Sequence, residues 1–380
     1  MRGVERAAHV RSRAGRARLP MTREVKAGGG SGRFAPAGAA FALLGLGLFA
    51  YFVWRAGPGE IWSNVSKIGW GFAAILGLGG LRFIVRALAW TLCFEPPYRL
   101  KFRHAFSAYL IGDSAGNVVP LGIVVSEPTK VALVRDRVPL VAGASAIAVE
   151  NIFYMLSVAL FVSCGAAGLL TAFPLSEAVR LSSYGVIAGT LLMATLAAYA
   201  LRRQWRFLSA ALDRAAARGL GRRSHARRRE RVAAFEDRLY GFYERRRSRF
   251  LPIFLCEMAF HLLGVAEGYL TIALISPVAP TLFSAFLFES VNRVITVVFK
   301  FIPLRAGVDE LGTGQLARLL AFGEAAGVTL AIVRKARTLV WMAVGVLLLA
   351  ARGLSLRDVT AEAGRAQDAA LGETQRKSGV

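Results

Sequence analysis

The sequence is poor in acidic residues, in cysteine and in recognisable catalytic motifs, and each shortage excludes a class of protein. Only 24 of its 380 residues are Asp or Glu, against 48 Lys and Arg, so its formal net charge is +24. Its three cysteines have no motif spacing and imply neither a disulfide framework nor a metal site. Walker A, HExxH and GxSxG motifs are absent from the sequence, so ATP hydrolysis is unsupported and we expect no enzymatic activity, cofactor or metal.

What the sequence has in excess is apolar length. Hydrophobic residues make up 55% of the chain, and the mean hydropathy is +0.48. Because lipid offers no partner to the backbone groups of open sheets, such stretches predict an all-α polytopic membrane protein. Most of the stretches approach or exceed the roughly 20 residues that cross a hydrocarbon core. They lie at about 37–54, 69–94, 139–163, 183–201, 250–275, 280–302 and 326–351.

The positive charge is concentrated in two segments. Residues 1–36 hold nine Lys and Arg against two acids, and residues 202–249 hold sixteen Arg against five acids. Because basic segments resist translocation, both are expected to face the cytoplasm, and the carboxyl terminus is expected on the same side. The arginines come without a recognition motif for bases, so we expect no nucleic-acid partner.

The basic loop at 202–249 also has an apolar pattern. Residues at steps of three and four are apolar: Val232, Phe235, Leu239 and Phe242. This spacing predicts a basic amphipathic helix that lies on anionic inner-leaflet lipids. The alternative is a solvated helical linker. We therefore divide the chain into a disordered N-terminal arm (1–36), a transmembrane domain (37–351) and a disordered C-terminal tail (352–380), in a multi-pass protein of a bacterial inner membrane.

One pattern occurs twice within the apolar sequence. The run FSAYL at 106–110 is matched by FSAFL at 283–287. Each run is followed by a Pro-Leu pair and, seven residues after the proline, by a glutamate: Pro120 and Glu127, then Pro303 and Glu310. Interrupted apolar segments at matching points of two halves indicate a transporter-like site near the membrane midplane. We predict two pseudo-symmetric halves of inverted topology, each with a broken, re-entrant helical hairpin, and about six full spans. The first hairpin, at 102–137, is expected to kink at Gly116-Asn117 and at Pro120-Leu121-Gly122.

Ionisable groups inside apolar segments cost about 2.5–3.5 kcal/mol each on insertion scales, so they are functional candidates by default. We predict a polar cavity that holds a phosphate or other anionic head on its cations, while its carboxylates balance charge or carry a coupled proton. The candidate lining residues are Arg82, Asn117, Glu127, Glu289, Arg293, Arg305, Asp309 and Glu310.

Several of these candidates also have structural interpretations. Arg82 is expected either in a buried pair or on a headgroup, whereas Arg86, one turn nearer the helix end, is expected to snorkel to the cytoplasmic surface. Glu127 either pairs with Lys130 across one turn or lies in the first turn of a helix capped by Ser126.

The adjacent carboxylates Asp309 and Glu310 point in different directions. One is therefore expected to cap the helix that they open, while the other faces Arg293, Lys300 or Arg305. With Glu289, these groups make six charges within 22 residues, more than capping alone requires.

Further buried polar residues are candidates for structural pairs or for a proton relay: Glu150, Arg334, Glu257 and His261. Opposite charges at matching repeat positions suggest that Glu150 pairs with Arg334 or Arg337. Glu257 and His261 lie four residues apart, so they form either a proton relay or an interhelical hydrogen bond.

Three stretches resemble the flippase-like transmembrane region of the lysylphosphatidylglycerol synthases. They are GNVVPLGIVVSEPTKVALV (116–134), FIPLRAGVDELGTG (301–314) and VRKARTLVWMAVG (333–345). The resemblance covers about residues 37–351, although Val124-Val125 replaces the arginine- and glycine-rich stretch that often precedes the first glutamate. It implies a helical bundle of two related halves that moves or accommodates polar-headed lipids between leaflets. It does not imply lipid lysinylation, which the complete synthases perform with a soluble catalytic domain.

The residues and the resemblance together predict a lipid flippase or headgroup-binding membrane protein, acting on phospholipid or on hopanoid and other isoprenoid lipids. Its expected partners are membrane lipids with anionic or polar heads. One alternative is a non-transporting scaffold that recruits lipid-biosynthesis enzymes. A second is a membrane-embedded transferase, because sites are defined by geometry rather than by fold.

Overall fold

The computed structural model describes residues 50–51, 53–55, 57–118, 123–218, 225–299 and 302–351. Within these ranges the chain forms helices and turns without strands, which confirms the all-α class. The predicted arm at 1–36 and tail at 352–380 lie outside the described residues, as does most of the first apolar stretch.

The described helices follow one another with short connections. They are α1 Pro58–Ile68, α2 Gly71–Leu92, α3 Phe102–Val118, α4 Ile123–Ala132, α5 Leu140–Ala172, α6 Glu177–Arg202, α7 Phe207–Ala217, α8 His225–Arg245, α9 Phe250–Ile275, α10 Leu282–Val298, α11 Val308–Leu319 and α12 Glu324–Ala351.

Four described helices are long and apolar enough to cross a membrane. They are α2, α5, α6 and α9, where the sequence predicts the spans 69–94, 139–163, 183–201 and 250–275. The predicted span at 326–351 forms the 28-residue helix α12, but its charges at Arg334, Lys335 and Arg337 keep it out of this apolar class. The count of six spans and the inverted topology therefore remain predictions.

Both predicted breaks fall between separate helices. In the first half, α3 continues through Gly116 and Asn117 to Val118, so the predicted kink at those two residues is wrong. The side-chain amide of Asn117 donates to the backbone carbonyl of Asp113, one turn earlier (2.9 Å). The predicted break residues Pro120, Leu121 and Gly122 lie outside the described residues.

The second break is described more fully. Helix α10 ends at Val298, a 3₁₀ turn covers Pro303–Arg305, and α11 begins at Val308. Leu304 and Arg305 have positive φ angles of 49° and 47°, a region that non-glycine residues rarely occupy and that costs about 1–3 kcal/mol each. The turn before α11 is therefore strained at two consecutive residues. Lys300 lies outside the described residues.

Two apolar clusters enclose a polar layer along α2 and α9. One cluster contains Trp90 and Ile253, and the other contains Ile75 and Ile272. The charged residues of α2 and α9 lie between these positions in both helices. The long helix α12 packs against α2, where the indole of Trp341 donates to the carbonyl of Leu76 (3.0 Å). The helices thus surround a central zone of charge.

The predicted amphipathic helix forms as α8, but its apolar side packs on the protein. Phe242 is only 1% exposed and belongs to the same cluster as Phe153 and Ile253. Phe242 and Leu239 therefore face the protein core and not lipid or water, whereas Val232 and Phe235 are half-buried. Contact of the remaining surface of α8 with anionic lipid stays a prediction. The guanidinium of Arg245 binds Glu95 through two hydrogen bonds (3.2 and 3.1 Å), which raise the pKa of Arg245.

Candidate functional site

A cavity of about 280 Å³ lies between the helices of both halves. It is bounded by α2, α3, α4 and α5 from the first half and by α9, α10, α11, α12 and the 3₁₀ turn from the second. Eight basic side chains line it: Arg82, Arg86, Lys130, Arg293, Arg305, Arg334, Lys335 and Arg337. Three acidic side chains line it: Asp113, Glu127 and Asp309. The described wall of the cavity is therefore strongly basic.

Glu289 is the main anion behind the second-half wall. Its carboxylate accepts from Arg293 one turn later (2.7 Å), from Arg334 of α12 (3.0 Å) and from Arg82 of α2 (3.4 Å). Asn292 adds a hydrogen bond of 3.1 Å. Glu289 is fully buried, so a single anion fixes three arginines from three helices at the cavity.

Glu267 of α9 supports the same wall. Its two oxygens lie 3.2 Å from Arg82 and 2.8 Å from Arg337. Arg82 is therefore clamped between Glu267 and Glu289, and its guanidinium lies 4.3 Å from the centre of the Phe260 ring. A planar cation between carboxylates and an aromatic face is held in one orientation.

A glycine makes room for this cluster. A β-carbon added to Gly264 of α9 would lie 2.3 Å from an oxygen of Glu289, a separation that real β-carbons essentially never show. The close approach of α9 to Glu289 therefore requires glycine at this position. Gly264 and Gly268 flank Glu267 four residues apart, so this helix face combines small residues with the carboxylate.

Arg86 forms the corresponding cluster in the first half. Its guanidinium lies 2.9 Å from Glu150 of α5 and 2.9 Å from Glu257 of α9, and it donates to the hydroxyl of Tyr109 (2.7 Å). Arg86 is 7% exposed, so the prediction that it snorkels to the membrane surface is wrong. Two buried carboxylates offer it a better partner than the surface does. The Tyr154 ring lies 4.0 Å from it.

Lys130 closes the first-half wall. Its ammonium lies 3.0 Å from Glu127 and 3.6 Å from Asp113, and it lies 3.7 Å from the centre of the Tyr109 ring. The predicted Glu127–Lys130 pair is confirmed. The predicted cap at Ser126 is wrong, because α4 begins three residues earlier, at Ile123.

The two carboxylates that open α11 have separate tasks, as the sequence predicts. Glu310 accepts from the backbone N–H of Gly307 (2.7 Å) and so caps the helix, while its other oxygen binds Lys335 of α12 (2.7 Å). Asp309 faces the cavity, where it binds Arg305 (3.1 Å) and Lys335 (3.2 Å). The strained turn and α12 are thereby joined at the cavity wall.

Some lining groups keep hydrogen-bonding capacity that the described residues do not use. Nε and Nη1 of Arg334 and Nε of Arg293 are buried donors that lack an acceptor among the described groups. Arg334 and Arg293 are 7% and 5% exposed, respectively, and both line the cavity. Buried donors normally have partners, so these atoms are free to bind an acceptor that enters the cavity.

The structure brings together most of the predicted cavity residues. Those that line the cavity are Arg82, Asn117, Glu127, Arg293, Arg305 and Asp309. Glu289 and Glu310 lie behind the wall, where each is fully buried and holds cavity cations in place.

Two of the predicted pairs are wrong. Glu150 binds Arg86, while Arg334 binds Glu289 and Arg337 binds Glu267, so the expected cross-repeat pair does not form. Each arginine has a carboxylate nearer than Glu150.

Glu257 and His261 contact different partners and do not form a relay with each other. The ring of His261 contacts the hydroxyl of Ser157 (3.0 Å) and stacks on Phe161, whereas Glu257 binds Arg86. The interhelical hydrogen bond considered for His261 thus forms with Ser157.

Sequence reasoning missed the aromatic members of the site. Tyr109 is the fourth residue of FSAYL, and the matching residue of FSAFL is Phe286, which packs on Phe161 (4.7 Å). The hydroxyl that joins Arg86 to Glu150 is therefore present in one copy only. That Tyr/Phe difference is the sequence signal that identifies it.

Comparison with known families gives one assignment. A family model described as the lysylphosphatidylglycerol synthase TM region matches residues 38–346, which is most of the chain. No curated protein and no solved structure matches the chain. The chain therefore belongs to this family, which confirms the resemblance. Membership and the apolar helices together make it a membrane protein of lipid-related processes.

Proposed function

We propose that this protein binds the phosphate-bearing head of a membrane lipid in its cavity and moves that head between leaflets without ATP. The observation that carries the proposal is the basic wall, in which buried guanidinium donors of Arg334 and Arg293 lack acceptors among the described residues. A phosphate offers several strong acceptor oxygens and matches the planar fork of arginine.

The size of the cavity suits a headgroup rather than a whole lipid. Its volume of about 280 Å³ lies near the lower end of ordinary ligand pockets, about 300–1,000 Å³. The acyl chains would therefore remain in the bilayer while the head occupies the polar layer between the two apolar clusters. Such a division lets a charged head cross without meeting hydrocarbon.

The carboxylates behind the wall hold the arginine side chains at the cavity before a ligand binds. Glu289 and Glu267 hold four arginines, so they lower the charge of the empty site but leave two of the four cations for an anionic ligand to neutralise. When a phosphate enters, Arg334 and Arg293 can bind it with their remaining donors and still contact Glu289. Binding therefore needs only small movements of the wall.

Arg305 gives a direct test of this wall. Its side chain is 30% exposed and lies at the strained turn, so its substitution disturbs packing less than that of a buried arginine. We expect Arg305→Gln to weaken the binding of short-chain phosphatidylglycerol to the purified protein, because one phosphate donor is lost. The matched control is Arg318→Gln, which removes an arginine of α11 that binds Glu324 and does not line the cavity. Equal affinity in both variants would remove Arg305 from the site.

Transport is tested separately from binding. In reconstituted vesicles, Arg293→Ala should slow the transbilayer movement of an anionic phospholipid while the protein remains folded. Unchanged movement would exclude Arg293 from the mechanism. We place the protein in a bacterial inner membrane with both termini in the cytoplasm, on the basis of the basic segments 1–36 and 202–249.

The scaffold alternative is tested on the surface of α8. Deleting this helix would also remove Phe242 from the core, so the deletion would not separate the two functions. Replacing the exposed Arg229 and Arg231 by Gln leaves that packing intact. A scaffold should then lose its enzyme partners, whereas a translocator should keep its transport rate.

A further inference from the structure

Arg86 is shared by two carboxylates that need more positive charge than it supplies. Glu150 and Glu257 each lie 2.9 Å from its guanidinium, and both are fully buried. One cation between two carboxylates leaves a net charge of −1 if both are ionised. An unbalanced charge in the interior of a membrane protein is strongly unfavourable.

Among the residues that the structure describes, Arg86 is the only cation in contact with Glu150 and Glu257. From α3, Tyr109 donates its hydroxyl to Glu150 (3.2 Å), which adds a hydrogen bond but no charge. From α4, Lys130 already binds Glu127 and Asp113, and α5 and α9 add the side chains of Tyr154 and Cys256. The ring of His261 on α9 contacts the hydroxyl of Ser157 and not either carboxylate.

The free oxygens of the two carboxylates indicate how the charge is balanced. Oε2 of Glu150 and Oε1 of Glu257 are buried and receive no hydrogen bond from a described group. The two carboxyl groups also lie on the same guanidinium, each at 2.9 Å. An ionised carboxylate can only accept hydrogen bonds, so a proton on one of the two groups supplies both a donor and the missing positive charge.

We propose that Glu150 and Glu257 share one proton and form a proton-binding site inside the membrane domain, connected to the cavity by Arg86. The shared proton cancels the extra negative charge and turns one of the two carboxyl groups into a hydrogen-bond donor. The pair is distinct from the second-half wall, where Glu289 and Glu267 meet several arginines and need no proton.

The connection to the cavity gives the proton site a role, and this step rests on the proposed headgroup binding. Arg86 lines the cavity, so an anionic head competes with the two carboxylates for its guanidinium. As Arg86 turns to the head, the pair loses its cation and takes up a second proton from water. Anion binding is then linked to proton uptake, and acidic pH should strengthen it by up to about tenfold per pH unit.

The resident proton is tested by infrared spectroscopy of the purified protein, which needs no lipid substrate. At neutral pH the wild type should show the carbonyl stretch of an un-ionised carboxyl group. Glu150→Gln and Glu257→Gln should each abolish it, because the remaining carboxylate and Arg86 form a balanced pair. The matched control Glu310→Gln removes a buried carboxylate that already has Lys335, so the band should remain.

Several outcomes would overturn the proposal. Absence of the band in the wild type does so without any variant, and so does a band that survives in either Gln variant. If those variants fail to fold, Tyr109→Phe removes the hydroxyl that donates to Glu150 and should shift the band position. An unchanged band in that variant would also reject the pair.

The coupling is tested by titrating short-chain phosphatidylglycerol at acidic and at mildly alkaline pH. The wild type should bind it more tightly at acidic pH, and Glu150→Gln should lose most of this difference. Equal affinity at both pH values would overturn the coupling but leave headgroup binding in place. Absence of binding at both would overturn the proposed function together with the coupling, while the infrared band would still decide on the resident proton.

Discussion

Replacing Glu289 by glutamine tests how far one buried anion holds the cavity wall. The substitution keeps the shape of the side chain but removes the charge that Arg293, Arg334 and Arg82 share at 2.7, 3.0 and 3.4 Å. The NH2 group of the new glutamine also places a hydrogen-bond donor next to guanidinium groups, which can only donate. Breaking a buried pair by removing one partner costs about 3–5 kcal/mol. Because three buried cations lose the same partner at once, we expect the cost to reach at least the upper part of that range.

The assay is thermal unfolding of the purified protein in detergent, followed by the fluorescence of its tryptophans. Asp213→Asn is the control, because Asp213 pairs with Arg229 on the exposed surface of α7 and α8 at 3.1 Å. An exposed pair contributes about 0–1 kcal/mol. Glu289→Gln should therefore melt far below Asp213→Asn. Similar melting of the two variants would refute the view that the arginine cluster depends on Glu289.

Further variants test the packing and the surface. Gly264→Ala should cost about 1–3 kcal/mol of stability, because its β-carbon would lie 2.3 Å from an oxygen of Glu289. The control Gly189→Ala, on the open face of α6, should be neutral or stabilising. Equal melting temperatures of the two variants would contradict the close approach of α9. Glu95→Gln should cost at most about 1 kcal/mol and only at low salt, because its partner Arg245 is 60% exposed; an effect that persists at high salt would contradict that reading. Glu310→Gln should cost less than the roughly 3–5 kcal/mol of a fully broken buried pair, because Lys335 keeps Asp309 and the glutamine oxygen can still accept from Gly307; a loss as large as that of Glu289→Gln would contradict this reasoning.

Local patterns in the sequence were enough to predict the local parts of the structure. The all-α class, four of the apolar spans and the Glu127–Lys130 pair all depend on contacts within one helix or one apolar segment. The division of tasks between Asp309 and Glu310 is likewise local, because helix capping acts within the first turn. Periodicity and spacing carry this kind of information.

The pairing across helices could not be predicted in the same way. Arg86 meets Glu257 over a separation of 171 residues, and Arg82 meets Glu289 over 207, so neither contact leaves a spacing pattern. The snorkelling prediction for Arg86 treated α2 as a single helix in lipid. In the bundle, α9 packs on α2 and supplies Glu257, and α5 supplies Glu150, at the depth where Arg86 would otherwise meet hydrocarbon.

The apolar stripe of α8 shows the same limit. Val232, Phe235, Leu239 and Phe242 give a correct helix, but the stripe does not tell lipid from protein as its neighbour. Phe153 and Phe250 lie within 6.1 Å of the ring centres of Tyr243 and Phe242, so aromatic packing from α5 and α9 decides the outcome. An amphipathic pattern predicts a buried face and not what covers it.

The most direct measurement follows an anionic phospholipid with a fluorescent head in vesicles that contain the purified protein, where a membrane-impermeant quencher reports how fast inner-leaflet heads reach the outer leaflet. A basic chamber that carries phosphate heads through the polar layer should exchange them, without ATP, much faster than protein-free vesicles do, and Arg293→Ala should slow the exchange. Exchange no faster than in protein-free vesicles, from folded protein with an intact cavity, would contradict transport.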